Sequence, residues 1–190
     1  MSDTEFKLTN YFKRTLEHIH RVQKNMLSLV TTHRDRLKLS PNECRHLMYN
    51  VMNHDRSKFS IQQFAAYIEL TEYYRQRKVL GNKDYDYAEG DRVYVDAAIN
   101  DHYKVENHHP EMFEKGSLGK WGRENAIECA CDLQAMAQEF DEGSCRGYWE
   151  NVWLKKHYTR FYDDYNWQQI QDWMREAIEC FEGDLNNHPK

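Results

Sequence analysis

The chain has 190 residues and a formal net charge of −5, from 26 basic and 31 acidic side chains, so it is long enough for one domain with a real hydrophobic core. The charges alternate in sign instead of clustering, which offers no electrostatic attraction to nucleic acid or to an anionic membrane. Five cysteines (Cys44, Cys129, Cys131, Cys145, Cys180) without CxxC spacing argue against a disulfide scaffold or zinc ribbon and predict free thiols in a reducing cytoplasm. The opening MSDTEFKLTN is polar and acidic, unlike a secretory signal, and no apolar stretch approaches membrane-spanning length, so the expectation is a soluble cytoplasmic protein.

The apolar spacing is helical nearly throughout. Leu8, Phe12, Leu16, Ile19, Met26 and Val30 recur at helical spacings and predict a long amphipathic first helix ending near Leu39. Ser40-Pro41-Asn42-Glu43 then reads as an N-cap, a first-turn proline and a capping-box glutamate, opening a second helix that runs to about Asp55. Ser60 with Gln63 opens a third, to about Tyr74, and residues 75–90 read as a long loop. A fourth helix covers about Asp91 to Glu106, followed by the segment NHHPEMFEKGSLGK. Further helices are expected at Arg123–Phe140, Arg146–Tyr162 and, capped by Asn166 with Gln169, Trp167–Phe181. The expectation is an all-α fold in a single domain over 1–190. Its core spans about 4–140, and aromatic-rich helices fill about 145–182.

On these elements the nitrogen and carboxylate donors recur in the order H…HD…H…HH…D. His18 lies in the middle of the first helix, with Val22 and Asn25 on its own stripe. His54 and Asp55 sit at the end of the second helix and His102 late in the fourth. His108 and His109 follow in the loop, where Pro110 stops helical continuation. Asp132 is central in the fifth helix, with Glu128 one turn earlier on the same face. Several helices each giving one or two donors is how bundle metal sites are built. The donors suit a hard-to-borderline divalent cation, one or two ions of Mn, Fe, Co, Zn or Mg. A lone histidine on a helix stripe is more often a satisfied core residue, but seven such groups in this order favour a common metal site.

The motifs HIHRVQKN (18–25), HDRSKF (54–59), HYKVENHHPEMF (102–113) and ECACD (128–132) resemble the HD superfamily, all-helical metal-dependent phosphohydrolases with a few di-iron oxygenases. More narrowly they are similar to an uncharacterised family of small HD-like proteins of phages and bacteria, over about residues 16–165. The resemblance implies an HD-like bundle of about six to seven helices. It implies metal ligation by His18, His54, Asp55, His102 and Asp132, completed by His108, His109 or both. It also gives Lys58 the place of the lysine that follows the HD pair by three residues. The chain departs from the narrower pattern at Leu133, where a tryptophan is usual, and over EFDEGSCRGYW (139–149), which bears on the substrate side.

The implied activity is hydrolysis of a small phosphorylated or nucleotide-like substrate by metal-activated water, with Asp55 and Lys58 as catalytic residues. Two alternatives carry different chemistry: a di-iron oxygenase using the same ligands, or a helical binding protein whose metal is structural. Glu111 and Glu128 are candidates for carboxylates that orient ligand imidazoles. The loop residues Gly116, Ser117, Gly119 and Lys120 read as an ordinary turn before they read as a phosphate clasp. The aromatic last third reads first as helix packing, with Lys155, Lys156 and Arg160 as a modest basic patch. His20, His33, His46, His157 and His188 are expected to be dispensable for metal. Apolar helix faces serve a core and a homodimer interface alike.

Overall fold

A computed structural model describes residues 2–113 and 118–187, so Gly116, Ser117 and His188 lie outside the described residues. The described residues form helices and turns, with no strand among them. The main elements are α1 (Asp3–Thr31), α2 (Pro41–Asn53), α3 (Phe64–Tyr74), α4 (Asp91–Val105) and α5 (Arg123–Glu139). They are followed by α6 (Arg146–Tyr148), α7 (Leu154–Phe161) and α8 (Trp167–Asn187). No helix among the described residues is long and apolar enough to cross a membrane.

The chain divides into two compact units, each made of two stretches of sequence. One comprises Met1–Ile19 and Asp55–Glu106, the other His20–His54 and Asn107–Lys190. Helix α1 contributes to both.

Helix α1 ends at Thr31, eight residues before the expected end near Leu39. The Thr31 hydroxyl turns back to donate to the Leu27 carbonyl (2.7 Å), and residues 32–38 fold into turns closed by Leu37 N–His33 O (2.9 Å) and Leu39 N–Arg34 O (3.0 Å). These turns bury both Leu37 and Leu39, which two positions apart on a helix would face different directions. The buried stripe of α1 also differs from the apolar one. Tyr11, Thr15, His18, Val22, Asn25 and Leu29 are buried, whereas Leu16 is 55% exposed. The stripe tolerates polar groups because their tips find partners: Tyr11 Oη donates to the Lys58 carbonyl (2.8 Å), and Asn25 Nδ2 donates to the Cys131 carbonyl (3.1 Å).

In the first unit, α3 packs on α4 around Ala66, Val95 and Ala98. Tyr11 and Phe12 of α1 meet Phe59 and Phe64 at ring separations of 5.2 to 6.1 Å. The expected loop 75–90 begins instead as a π-helical turn, Arg75–Val79, continuing α3. The chain then folds back so that Tyr87 stacks on Tyr73 at 4.6 Å.

In the second unit, α5 packs against α2 and α8. Nearly every residue from Ala126 to Ala137 is buried, as expected of a helix enclosed on all sides, and four alanines let its neighbours approach closely. Helix α2 enters through the complete capping box: Glu43 N donates to Ser40 Oγ (3.2 Å) and Ser40 N to Glu43 Oε2 (2.8 Å). The aromatic last third splits by residue type. Trp149, Trp153, Phe161 and Trp167 are buried in the core, while Tyr148, Tyr158, Tyr162 and Tyr165 are exposed.

Candidate metal centre

Helix α2 ends at Asn53, and the chain breaks direction at the His54-Asp55 pair. His54 caps the helix with extended backbone, and Asp55 adopts the left-handed conformation (φ 61°), which aspartate tolerates better than most residues. Lys58 therefore does not lie on a continuation of α2. A 3-10 turn, Arg56–Phe59, carries it instead, with Lys58 N donating to the Asp55 carbonyl (3.1 Å). Its Nζ donates to Asp55 Oδ2.

The first unit contains a buried cluster centred on Asp55, which is 1% exposed. His18 Nε2 from α1 lies 3.4 Å from Asp55 Oδ2, and His102 Nε2 from α4 lies 3.2 Å from Asp55 Oδ1. Lys58 Nζ also sits over the Tyr67 ring, 5.3 Å from its centroid. Burial and the Asp55 charge both raise the Tyr67 phenol far above its ordinary range, so it stays neutral. Behind His102, Ser57 Oγ is 2.8 Å from Nδ1, and Glu106 Oε1 accepts from Ser57 N at 3.1 Å.

The second unit contains a second buried cluster, on α5, the end of α2 and the 107–113 segment. Glu128 Oε1 lies 3.1 Å from His54 Nδ1 and 3.6 Å from His108 Nδ1. His54 Nε2 then faces Asp132 Oδ1 at 3.8 Å, and the His108 ring lies between those of His54 (4.2 Å) and His109 (4.1 Å). Glu128 thus holds one nitrogen of His54 and directs the other toward Asp132, as carboxylates behind metal-binding imidazoles do.

The 107–113 segment is tethered from its outer side. Trp121 Nε1 donates to the Asn107 carbonyl (2.8 Å), and Arg160 donates to the carbonyls of Glu111 (3.0 Å) and Phe113. The Glu111 carboxylate accepts from Lys156 Nζ at 2.6 Å and lies 3.5 Å from His157 Nε2 and 3.8 Å from His109 Nδ1. Two of the three cations expected to form a basic patch therefore engage this segment. Burial pushes the His157 imidazole down to about 4 despite the pull of Glu111. Burial alone would raise Glu111, but its positive surroundings, His157 first and then Lys156, hold its carboxyl below the usual range.

His157 gives a stability prediction with a definite sign. Its folded pKa lies below the unfolded value of about 6.5, so between pH 6.5 and 4 the unfolded chain binds more protons. Its contribution is complete above the unfolded value and is lost as pH falls toward the folded one. Urea unfolding should show wild type losing about 2–3 kcal/mol more than His157→Gln between pH 7.5 and 4.5. Parallel pH profiles would contradict this.

The seven expected ligands fall into two sets: His18, Asp55 and His102 in one unit, His54, His108, His109 and Asp132 in the other. His46 is exposed and pairs with Glu124, while His33 pairs with Asp184. Reading the sequence alone missed Ser57 and Glu106 beside His102 and left Glu128 undecided. Ser57 lies inside the HDRSKF motif, the one signal that pointed to it.

Pairs of donors within each set can be compared with the spacing a divalent cation imposes. An ion with bonds of about 2.1 Å holds neighbouring donors about 3.0 Å apart at right angles and about 3.4 Å apart at the tetrahedral angle. The 3.2 and 3.4 Å separations around Asp55 fall in or at the edge of that window, and the 3.8 Å of His54–Asp132 lies just outside it. Within the second unit, the pairs His54–Asp132, His54–His108 and His108–His109 offer ligand atoms no more than 4.8 Å apart.

Fold and site together define an all-α protein with buried histidine–carboxylate clusters that could hold a metal. The chain belongs to a family of unknown function (DUF5662), whose model matches residues 7–181. No curated protein and no solved structure matches it.

Proposed function

We propose that this protein is an HD-like, metal-dependent hydrolase of a phosphoester or nucleotide-type substrate. In this reading His18, His54, Asp55, His102, His108, His109 and Asp132 hold one or two divalent ions. The observation that carries it is Asp55, a buried carboxylate with a different histidine at each oxygen and Lys58 beside it. A bound divalent ion would supply Lewis-acid polarisation of a phosphate oxygen and lower the pKa of a water molecule.

The chain's own residues have distinct tasks. Asp55 ties His18 and His102 to one point, and the two oxygens of one carboxylate suit either a single ion or a bridge between two. Glu128 fixes the ring orientation of His54 and faces His108. Lys58 is a compact point charge that can receive a phosphate oxygen, and this favours phosphoester chemistry over dioxygen activation by the same donor types.

The test is a panel of phosphomonoesters, phosphodiesters and nucleotides incubated with manganese, cobalt or zinc under anaerobic conditions. Turnover that ceases with chelator and returns with metal is expected, and Lys58→Ala should lower it about 10²-fold or more by removing a charge that acts on the phosphate. Iron in the preparation, oxygen consumption and no hydrolysis would replace this reading with the oxygenase one.

A further inference from the structure

We propose that Arg160 is a positioning residue for the donor set of the second unit, holding the 107–113 backbone so that His108 and His109 keep their places beside His54. This inference rests on the metal reading of that cluster. The segment has little means of holding itself. Its regular element is the 3-10 turn Pro110–Met112, closed by Phe113 N to the Pro110 carbonyl at 3.1 Å. A single turn fixes several dihedral angles for one hydrogen bond and is unfavourable alone. Its conformation must therefore come from the elements packed outside it.

Arg160, on α7, donates from one nitrogen, Nη2, to the carbonyls of Glu111 (3.0 Å) and Phe113, one inside the turn and one just after it. Carbonyls at the end of a helical turn lack partners within it, so both need an outside donor. Lys156 lies one helical turn before Arg160 on the same face, and its Nζ donates to the Glu111 carboxylate at 2.6 Å. Glu111 is thus held at backbone and side chain together. At the near end of the segment, Trp121 Nε1 donates to the Asn107 carbonyl (2.8 Å). Buried Asp164, three residues beyond α7, accepts from Leu118 N (3.1 Å). His108 and His109 lie between the anchors at Asn107 and Glu111.

The inner side of the segment shows why its backbone position matters. His108 is 1% exposed, its ring between those of His54 and His109, and its Nδ1 lies 3.6 Å from Glu128 Oε1. A metal site holds its bond lengths to within about 0.2 Å, so a shift of the segment by about 1 Å would take both imidazoles out of reach. The guanidinium suits the task, being planar, always charged and a donor only. It acts on carbonyls, so its removal changes no candidate ligand atom. Loss of a positive charge by itself would favour a bound cation, so weaker binding would report lost positioning.

The experiment is amide hydrogen exchange of the full-length, metal-free protein read by NMR, alongside cobalt(II) affinity by competition with a chromophoric chelator. In Arg160→Gln the Phe113 amide, which closes the turn, should exchange about tenfold faster while the α5 amides keep their rates. The same variant should bind cobalt about tenfold more weakly. Arg160→Lys, which keeps the charge without the planar fork, should fall between it and wild type. Arg146→Gln cuts the ion pair with Glu182 elsewhere in the same unit, and should leave cobalt affinity unchanged. Wild-type exchange or wild-type cobalt affinity in Arg160→Gln, or an equal loss of affinity in Arg146→Gln, would overturn the inference while leaving the metal reading intact. Wild type that takes up no cobalt would overturn both.

Discussion

Asp55→Ala is expected to lower metal affinity by more than about a hundredfold, beyond what loss of a supporting partner behind a ligand costs, and to lower phosphoester turnover at least in proportion. Asp55 is 1% exposed and faces His18, His102 and Lys58, so its loss removes a common anchor and leaves the Lys58 ammonium without that partner. Breaking a buried ion pair from one side can cost several kcal/mol, which would confuse a loss of function with a loss of fold. Asp55→Asn resolves this, because the amide keeps the shape and most hydrogen bonding but surrenders the charge. It should retain a cooperative unfolding transition and still lose metal. Wild-type affinity in the folded Asn variant would remove Asp55 from the site.

Trp153→Ala is expected to destabilise the protein by about 3–5 kcal/mol, read as a lower urea midpoint. Trp153 is buried, with ring centroids 5.8 Å from Trp167, 6.4 Å from Trp121 and 4.5 Å from His157. Tyr165→Ala, a few residues from the same core but 85% exposed, should change stability by no more than about 0.5 kcal/mol. The pair of variants separates packing from presentation. If Trp153 were a stacking platform for a ligand, its loss would weaken binding more than it weakened folding.

What could be read from the sequence depended on how far apart the interacting residues are. The capping box at Ser40 and Glu43 was legible because both partners lie within one turn. The helices of the C-terminal third were legible because their periodicity is local. The early end of α1 was not, since it depends on burying Leu37 and Leu39 against residues far along the chain. Nor was the buried stripe of α1. Counting apolar residues favours Phe12 and Leu16, but Thr15, His18 and Asn25 are the buried ones. For His18 and Asn25 the partners that make this affordable, Asp55 and the Cys131 carbonyl, come from other elements.

The candidate donors were chosen by type and order, and the structure gathers each set within its own unit. What lay behind them was less so. Ser57 and His102 are 45 residues apart, and Lys156 and His157, the latter set aside as dispensable, lie 45 and 46 residues from the Glu111 they face. Glu128 shared a helix face with Asp132, but only the folded chain shows it turned toward His54 and His108.

The most direct test is metal content, by elemental mass spectrometry, of the untagged protein beside a His54→Ala/Asp55→Ala double variant and a His46→Ala control. One or two equivalents of a divalent metal are expected in wild type and in His46→Ala, and none in the double variant. Wild type without metal that takes none up on addition, or a His46→Ala variant emptied as thoroughly as the double variant, would contradict the metal reading.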